Sequence, residues 1–153
     1  MLGRSLLAVL SLLLGACASA PRPTTGVIAL PTVAYPFDRQ ILQRADIEVC
    51  ASRLVKMAGY GRFQYERAAF LILRDDGMFD CSVWPATFEP RSESWSGRMP
   101  EGTAAIIHTH PLESPRPSYQ DVLEAARIGV PIIVATPYVL AMAQPHGDVI
   151  TTR

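Results

Sequence analysis

The apolar positions of the chain change rhythm several times, and each change marks an element. Across residues 37–58 they recur at helical spacing, at Ile41, Leu42, Ala45, Val49, Leu54, Val55 and Ala58. Asp38 is placed to cap the start and Gly59 to stop the end, so the pattern predicts one long amphipathic helix. After Gly59-Tyr60-Gly61 comes a run, 65–73, whose continuous apolar stretch fits a strand buried on both faces. Asp75-Asp76-Gly77 reads as a tight hairpin turn, with 78–84 as the partner strand, ended by Pro85. A second continuous strand covers 103–110 and is stopped by Pro111.

Helical spacing returns at Ser118 and ends at Gly129, with Val122, Ala125 and Ala126 as the buried face. Residues 131–135 read as a short buried strand, Pro137 separates it from 138–143, and 148–151 supply a last edge strand. Helix, hairpin, strand, helix and then short strands is the order of a single α/β domain with a mixed sheet.

The first 36 positions follow a different pattern. Arg4 precedes an apolar core at 6–14, which is shorter than the roughly 20 residues needed to cross a bilayer. The core closes on Leu14-Gly15-Ala16-Cys17, which resembles the bacterial lipobox. The resemblance implies removal of a signal peptide, residues 1–16, and diacylglycerol on Cys17, usually with a further acyl chain. Several such chains, each contributing about 0.8 kcal/mol per buried methylene, make a durable membrane anchor. Residues 17–36, rich in Ala, Ser, Pro and Thr, then read as a tether, with an apolar island at 27–30 able to add an edge strand. The folded domain is 37–153. Ala18 supplies no aspartate-type retention signal, which points to the outer membrane of a two-membrane envelope and to a domain facing the periplasm or the exterior.

Composition narrows this further. A chain of 153 residues is long enough for one cored domain. Basic and acidic residues balance at 14 each, which leaves no electrostatic footprint for nucleic acid. The 13 prolines cluster between the apolar runs, as rigid connections do. With Cys17 acylated, Cys50 and Cys81 remain as an even pair in an oxidising compartment; they form either a disulfide or two separately buried thiols. Residues 86–102 form a long polar loop carrying Arg91, Trp95 and Arg98, and a loop of that length in a small domain is usually functional or mobile.

The densest chemistry lies within 106–128. His108 and His110 occupy alternate positions of a strand, so both project from one face at its carboxyl end. Asp121 falls in the first turn of the next helix, which the Pro-rich loop can fold back over the strand end. Two imidazoles and one carboxylate leave a fourth tetrahedral position for water, the open arrangement of a catalytic zinc site with one zinc per chain. Zinc lowers the pKa of such a water to about 7. Taken singly, these residues have plainer explanations. Histidine pairs one apart also arise by chance, and Ser118-x-x-Asp121 is equally a helix cap.

Taken together, His108-x-His110-Pro111, with seven residues between His110 and Ser118, and Ser118-x-x-Asp121 resemble the JAMM motif of the JAB/MPN metalloprotease family, without a gap or substitution. The likeness runs from about Glu66 to the carboxyl terminus and includes the 134–137 run of the bacterial type. It implies a JAB/MPN-like (cytidine-deaminase-like) mixed β-sheet flanked by helices, with zinc held by His108, His110 and Asp121. It also implies an upstream glutamate as general base, whose counterpart is Glu66, and a role for Ser118 in stabilising the tetrahedral oxyanion. Glu101 stands at the far end of the histidine strand, roughly 25 Å away along an extended chain, and Glu89 and Glu93 sit in the long loop.

The activity implied is hydrolysis of a peptide or isopeptide amide bond. The envelope location favours a peptide or protein substrate there, cell-wall peptide included. The alternative is a non-catalytic metal-binding envelope lipoprotein that keeps the fold as a binding module. A zinc deaminase would need a Pro-Cys-x-x-Cys ligand pair, which is absent. His146 reads as a solvated loop histidine, and Trp84 and Trp95 either wall a substrate groove or pack in the core or on the surface.

Overall fold

Continuous apolar runs have no polar face to give to solvent, so they pair side by side and are covered above and below. In the computed structural model, which describes residues 37–87, 90, 94–110 and 115–152, they build one six-stranded mixed sheet. The strands are β1 (Ala68–Leu73), β2 (Phe79–Val83), β3 (Thr103–Thr109), β4 (Ile132–Ala135), β5 (Leu140–Ala143) and β6 (Val149–Thr151), in spatial order β2-β1-β3-β4-β5-β6. Helix α1 (Ala45–Met57) precedes the sheet, and α2 (Tyr119–Ile128) joins β3 to β4. Those two strands are parallel and all other neighbours antiparallel, so one crossover helix is what the topology needs. The signal peptide, Cys17, the tether and the 27–30 island lie outside the described residues.

Strand alternation sorts the side chains onto two faces. Leu71, Ile107, Ile133 and Met142 meet Ile47, Cys50 and Leu54 of α1 in the main core. Each such large aliphatic side chain contributes about 1.5–3 kcal/mol by leaving water. On the other face Ile106, Ile132 and Ala143 meet Val122, Ala125 and Ile128 of α2. Because α2 packs on β4 and β5, the β1–β2 half of that face is covered differently. There Phe70, Trp84 and Trp95 cluster, with ring centroids 5.0, 5.1 and 5.6 Å apart.

The predicted helix over 37–58 is divided. A single turn, Ile41–Gln43, is capped by Asp38, whose carboxylate accepts from the amides of Gln40 and Ile41 at 2.8 and 3.3 Å. Arg44 is extended (φ −72°, ψ 136°), and α1 begins after it. The cause is tertiary. Asp46 accepts from the Phe79 amide at 2.9 Å and from both Arg44 nitrogens, Nε and Nη2, while Arg44 also donates to the Gly77 carbonyl. This ties the start of α1 to the hairpin turn, where Gly77 takes φ 77°. At the other end Ala58 is the C-cap, and Gly59 just beyond it, at φ 62°, stops the helix as expected.

Smaller corrections share one reason, which is that paired strands are shorter than apolar runs. β1 starts at Ala68, with Ile72 and Leu73 only half-buried, and β2 excludes Met78 and Trp84. In α2 Ala126 is exposed, and Asp121 joins Ala125 as a buried residue instead. Cys50 and Cys81 form a disulfide between α1 and β2, with Cα atoms 5.6 Å apart. In the chain-entropy view, closing a loop of that size restricts the unfolded chain by about 4 kcal/mol.

Candidate metal centre

The site forms where β1 begins, β3 ends and α2 begins. Pairing of Ala68 with His108 sets β1 beside β3. Just beyond, the Arg67 amide donates to the Thr109 hydroxyl and the Thr109 amide to the Arg67 carbonyl, both at 2.9 Å. This two-way clasp fixes Glu66 against the histidines on either side of Thr109. Thr109 itself is fully buried, a polar residue inside an apolar strand. That was the sequence signal for the clasp, and pattern reasoning passed over it.

The second wall comes from α2. Ser118 is its N-cap and forms a capping box with Asp121. The Asp121 amide donates to the Ser118 hydroxyl at 3.2 Å, while the Ser118 amide and hydroxyl donate back to Asp121 Oδ2 at 2.6 and 2.7 Å. The cap turns the carboxylate inward, onto the histidines. His108 Nε2 lies 3.2 Å from Asp121 Oδ1, and His110 Nε2 lies 3.5 Å from Oδ2. On its other side, His108 Nδ1 faces Glu66 Oε2 at 3.5 Å. The two imidazoles meet edge to face, 4.8 Å between centroids. Glu66, His110 and Asp121 are all buried and His108 nearly so.

Burying two carboxylates beside two imidazoles has a large electrostatic consequence. Burial by itself disfavours the His108 imidazolium, but contact with Asp121 and then Glu66 outweighs it and raises the pKa to about 9. Burial likewise works against the Asp121 carboxylate, yet His108, His110 and Ser118 together hold it far below its ordinary range. Without a cation, the cluster therefore keeps a proton on His108 at neutral pH. A metal ion would take that proton's place.

The donor set passes a test of fit for such an ion. Glu66, His108 and His110 each offer a ligand atom within 4.8 Å of the others, a buried group able to hold a metal. Two atoms at about 2.0–2.1 Å from one tetrahedral zinc lie about 3.3 Å apart, close to the 3.2 and 3.5 Å between Asp121 and the histidine nitrogens. His108 Nε2 is buried and, although near Asp121, makes no aligned hydrogen bond. A buried nitrogen without a hydrogen bond is costly, and coordination would satisfy it.

The remaining expectations sort plainly. Glu101 is exposed in the turn before β3, at the end away from the histidines. Glu89 and Glu93 lie outside the described residues. His146 is a solvent-exposed partner of Asp148, at 3.2 Å. The Trp84 backbone amide, just past the end of β2, donates to the Ala68 carbonyl, so Trp84, Ala68 and His108 form one row on the face of the histidines. Ser118 uses its hydroxyl proton on Asp121, so in this arrangement it orients that carboxylate.

No family model, curated protein or solved structure matches the chain.

Proposed function

We propose that this chain is a zinc-dependent hydrolase of the JAB/MPN type that cleaves a peptide or isopeptide amide bond at the cell envelope, with Glu66 as its general base. The observation that carries the reading is convergence. Asp121 Oδ1 and Oδ2 reach one nitrogen from each histidine at 3.2 and 3.5 Å, while Glu66 brings a carboxylate oxygen within 4.8 Å of a ligand nitrogen on each. Zinc, when bound, would supply Lewis acidity, polarising the amide carbonyl and easing deprotonation of water.

The chain's own residues divide the other tasks. His108, His110 and Asp121 hold the ion, and Ser118 orients Asp121 through its hydroxyl. Glu66 takes a proton from water on its carboxylate and returns it to the leaving nitrogen, a role typically contributing about 10²–10⁴-fold in rate. Ser118 can stabilise an oxyanion only after its hydroxyl turns from Asp121, since one hydroxyl donates one proton. Burial of the cluster strengthens each of these interactions by excluding water. Acylation at Cys17 would place the domain in the envelope, where cell-wall peptides and envelope proteins are the amides within reach.

One observation favours a second reading. Glu66 is close enough to both histidines to be a ligand itself. With Asp121 it would complete four protein ligands and close the site to water, as in a metal-binding module without catalysis. The two faces of His108 weigh against this, because one imidazole cannot direct both nitrogens at one ion. Glu66→Gln separates the readings. A general base gives a variant that keeps its zinc and loses hydrolysis, whereas a fourth ligand gives one that loses zinc along with it.

A further inference from the structure

The segment between α1 and β1 has an unusual surface. From Val49 to Tyr65 the chain carries Arg53, Lys56 and Arg62 and no acidic residue, in a chain whose basic and acidic residues balance at 14 each. All three cations are exposed, and among the described residues none forms an ion pair. The same segment holds Val49, Met57, Tyr60, Phe63 and Tyr65, five of the eleven exposed large apolar side chains among the described residues. Such a concentration is not the scatter expected of an ordinary soluble surface.

The placement is coherent. The inward stripe of α1 is Ile47, Cys50, Ala51, Leu54 and Val55. Glu48, Val49, Ser52, Arg53, Lys56 and Met57 fall on the outward side, with the acid at the helix start and the cations towards its end, and the turn after the helix extends that basic end with Tyr60, Arg62 and Phe63. Lys56 in the last helical turn also complements the helix dipole, but Arg62 lies beyond the helix and has no such role. Among the described residues Tyr60 is the one non-glycine with positive φ, at 58°, and it is 55% exposed. Phe63 lies over Gly59, where a side chain would collide with its ring, yet it remains 57% exposed. Backbone held in a rare conformation to present an aromatic to water marks a contact surface.

We infer that the α1–β1 turn and the outward face of α1 rest on an anionic phospholipid surface, with Arg53, Lys56 and Arg62 at the headgroups and Tyr60 and Phe63 at the interface. Cations interleaved with aromatics are the composition of interfacial segments, and charge complementarity selects an acidic bilayer. Tyr65 immediately precedes Glu66 in the chain, while α1 itself packs on the sheet face opposite His108 and His110. The orientation rests on the proposed function and deepens it, by holding the hydrolase domain at that surface.

The test removes the anchor. The chain from position 17 onward, carrying Cys17→Ser, is sedimented with phosphatidylcholine vesicles with and without phosphatidylglycerol, at low and high salt. Binding to the acidic vesicles alone, released by salt, is expected. The triple change Arg53→Glu, Lys56→Glu and Arg62→Glu lowers it at least tenfold, because each cation contributes about fivefold. Phe63→Ala weakens binding while zinc content, measured on every variant, stays at the parent level. Absence of binding, equal binding to neutral vesicles, or indifference to charge reversal would overturn the inference. Zinc uptake and peptide hydrolysis of the triple variant in solution report on the site separately, so the two proposals fail independently.

Discussion

At the scale of single residues, His108 is the point where proton and metal compete. Its pKa, raised from 6.5 to about 9, means that the metal-free protein holds a proton there that a cation must displace. Zinc affinity is therefore expected to rise with pH, by about tenfold per unit while one proton is released, and to level off near pH 9. Calorimetric titration in two buffers of different ionisation enthalpy checks both slope and proton count. The sign for stability runs the other way. A folded pKa above the unfolded value contributes stability that is complete below about 6.5 and is lost as pH climbs through about 9, so the metal-free melting temperature falls across that window. Ser118→Ala removes both a helix cap and the hydrogen bond that orients Asp121. It should cost about 0.5–2 kcal/mol of stability and about 10–100-fold in zinc affinity, read from thermal melts and from competition with a chelator.

At the scale of elements, α1 and the β1–β2 hairpin are joined twice, by Asp46 and by Cys50–Cys81. Asp46→Ala leaves the Phe79 amide without its acceptor and is expected to destabilise by about 1–3 kcal/mol in urea unfolding. Arg44 beside Asp46 lowers its pKa despite partial burial, so this contribution is present above the ordinary carboxylate range and fades as pH falls through the folded value. The same clamp explains what the sequence did not reveal. Helical spacing over 37–58 was plain, but the break at Arg44 follows from a partner more than thirty positions away, |i−j| = 33. By contrast, α2 was legible to the residue, because its signals, Ser118 at the cap and Gly129 at φ 75°, are local. Strand alternation placed both histidines, whereas the Arg67–Thr109 clasp that aligns Glu66 with them joins residues 42 positions apart, and its one local sign is a threonine inside an apolar strand.

At the scale of the whole molecule, the sheet separates two tasks. One face carries the main core against α1; the other carries α2, the aromatic cluster and the metal site, which lies at a seam of three elements. An ion bound at such a seam stabilises only the folded chain. Saturating zinc at about 100 times its dissociation constant should add about 2.7 kcal/mol, and chelation should reverse that rise in melting temperature. The central claim is that the seam is an open catalytic centre served by Glu66. Its most direct measurement is the release of new amino termini from a mixed pool of envelope-derived peptides by wild-type and Glu66→Gln proteins of equal zinc content. The account predicts steady release by the wild type and a rate about 10²–10⁴ lower for the variant. Equal rates from the two proteins, or no release by a zinc-loaded wild type, would contradict it.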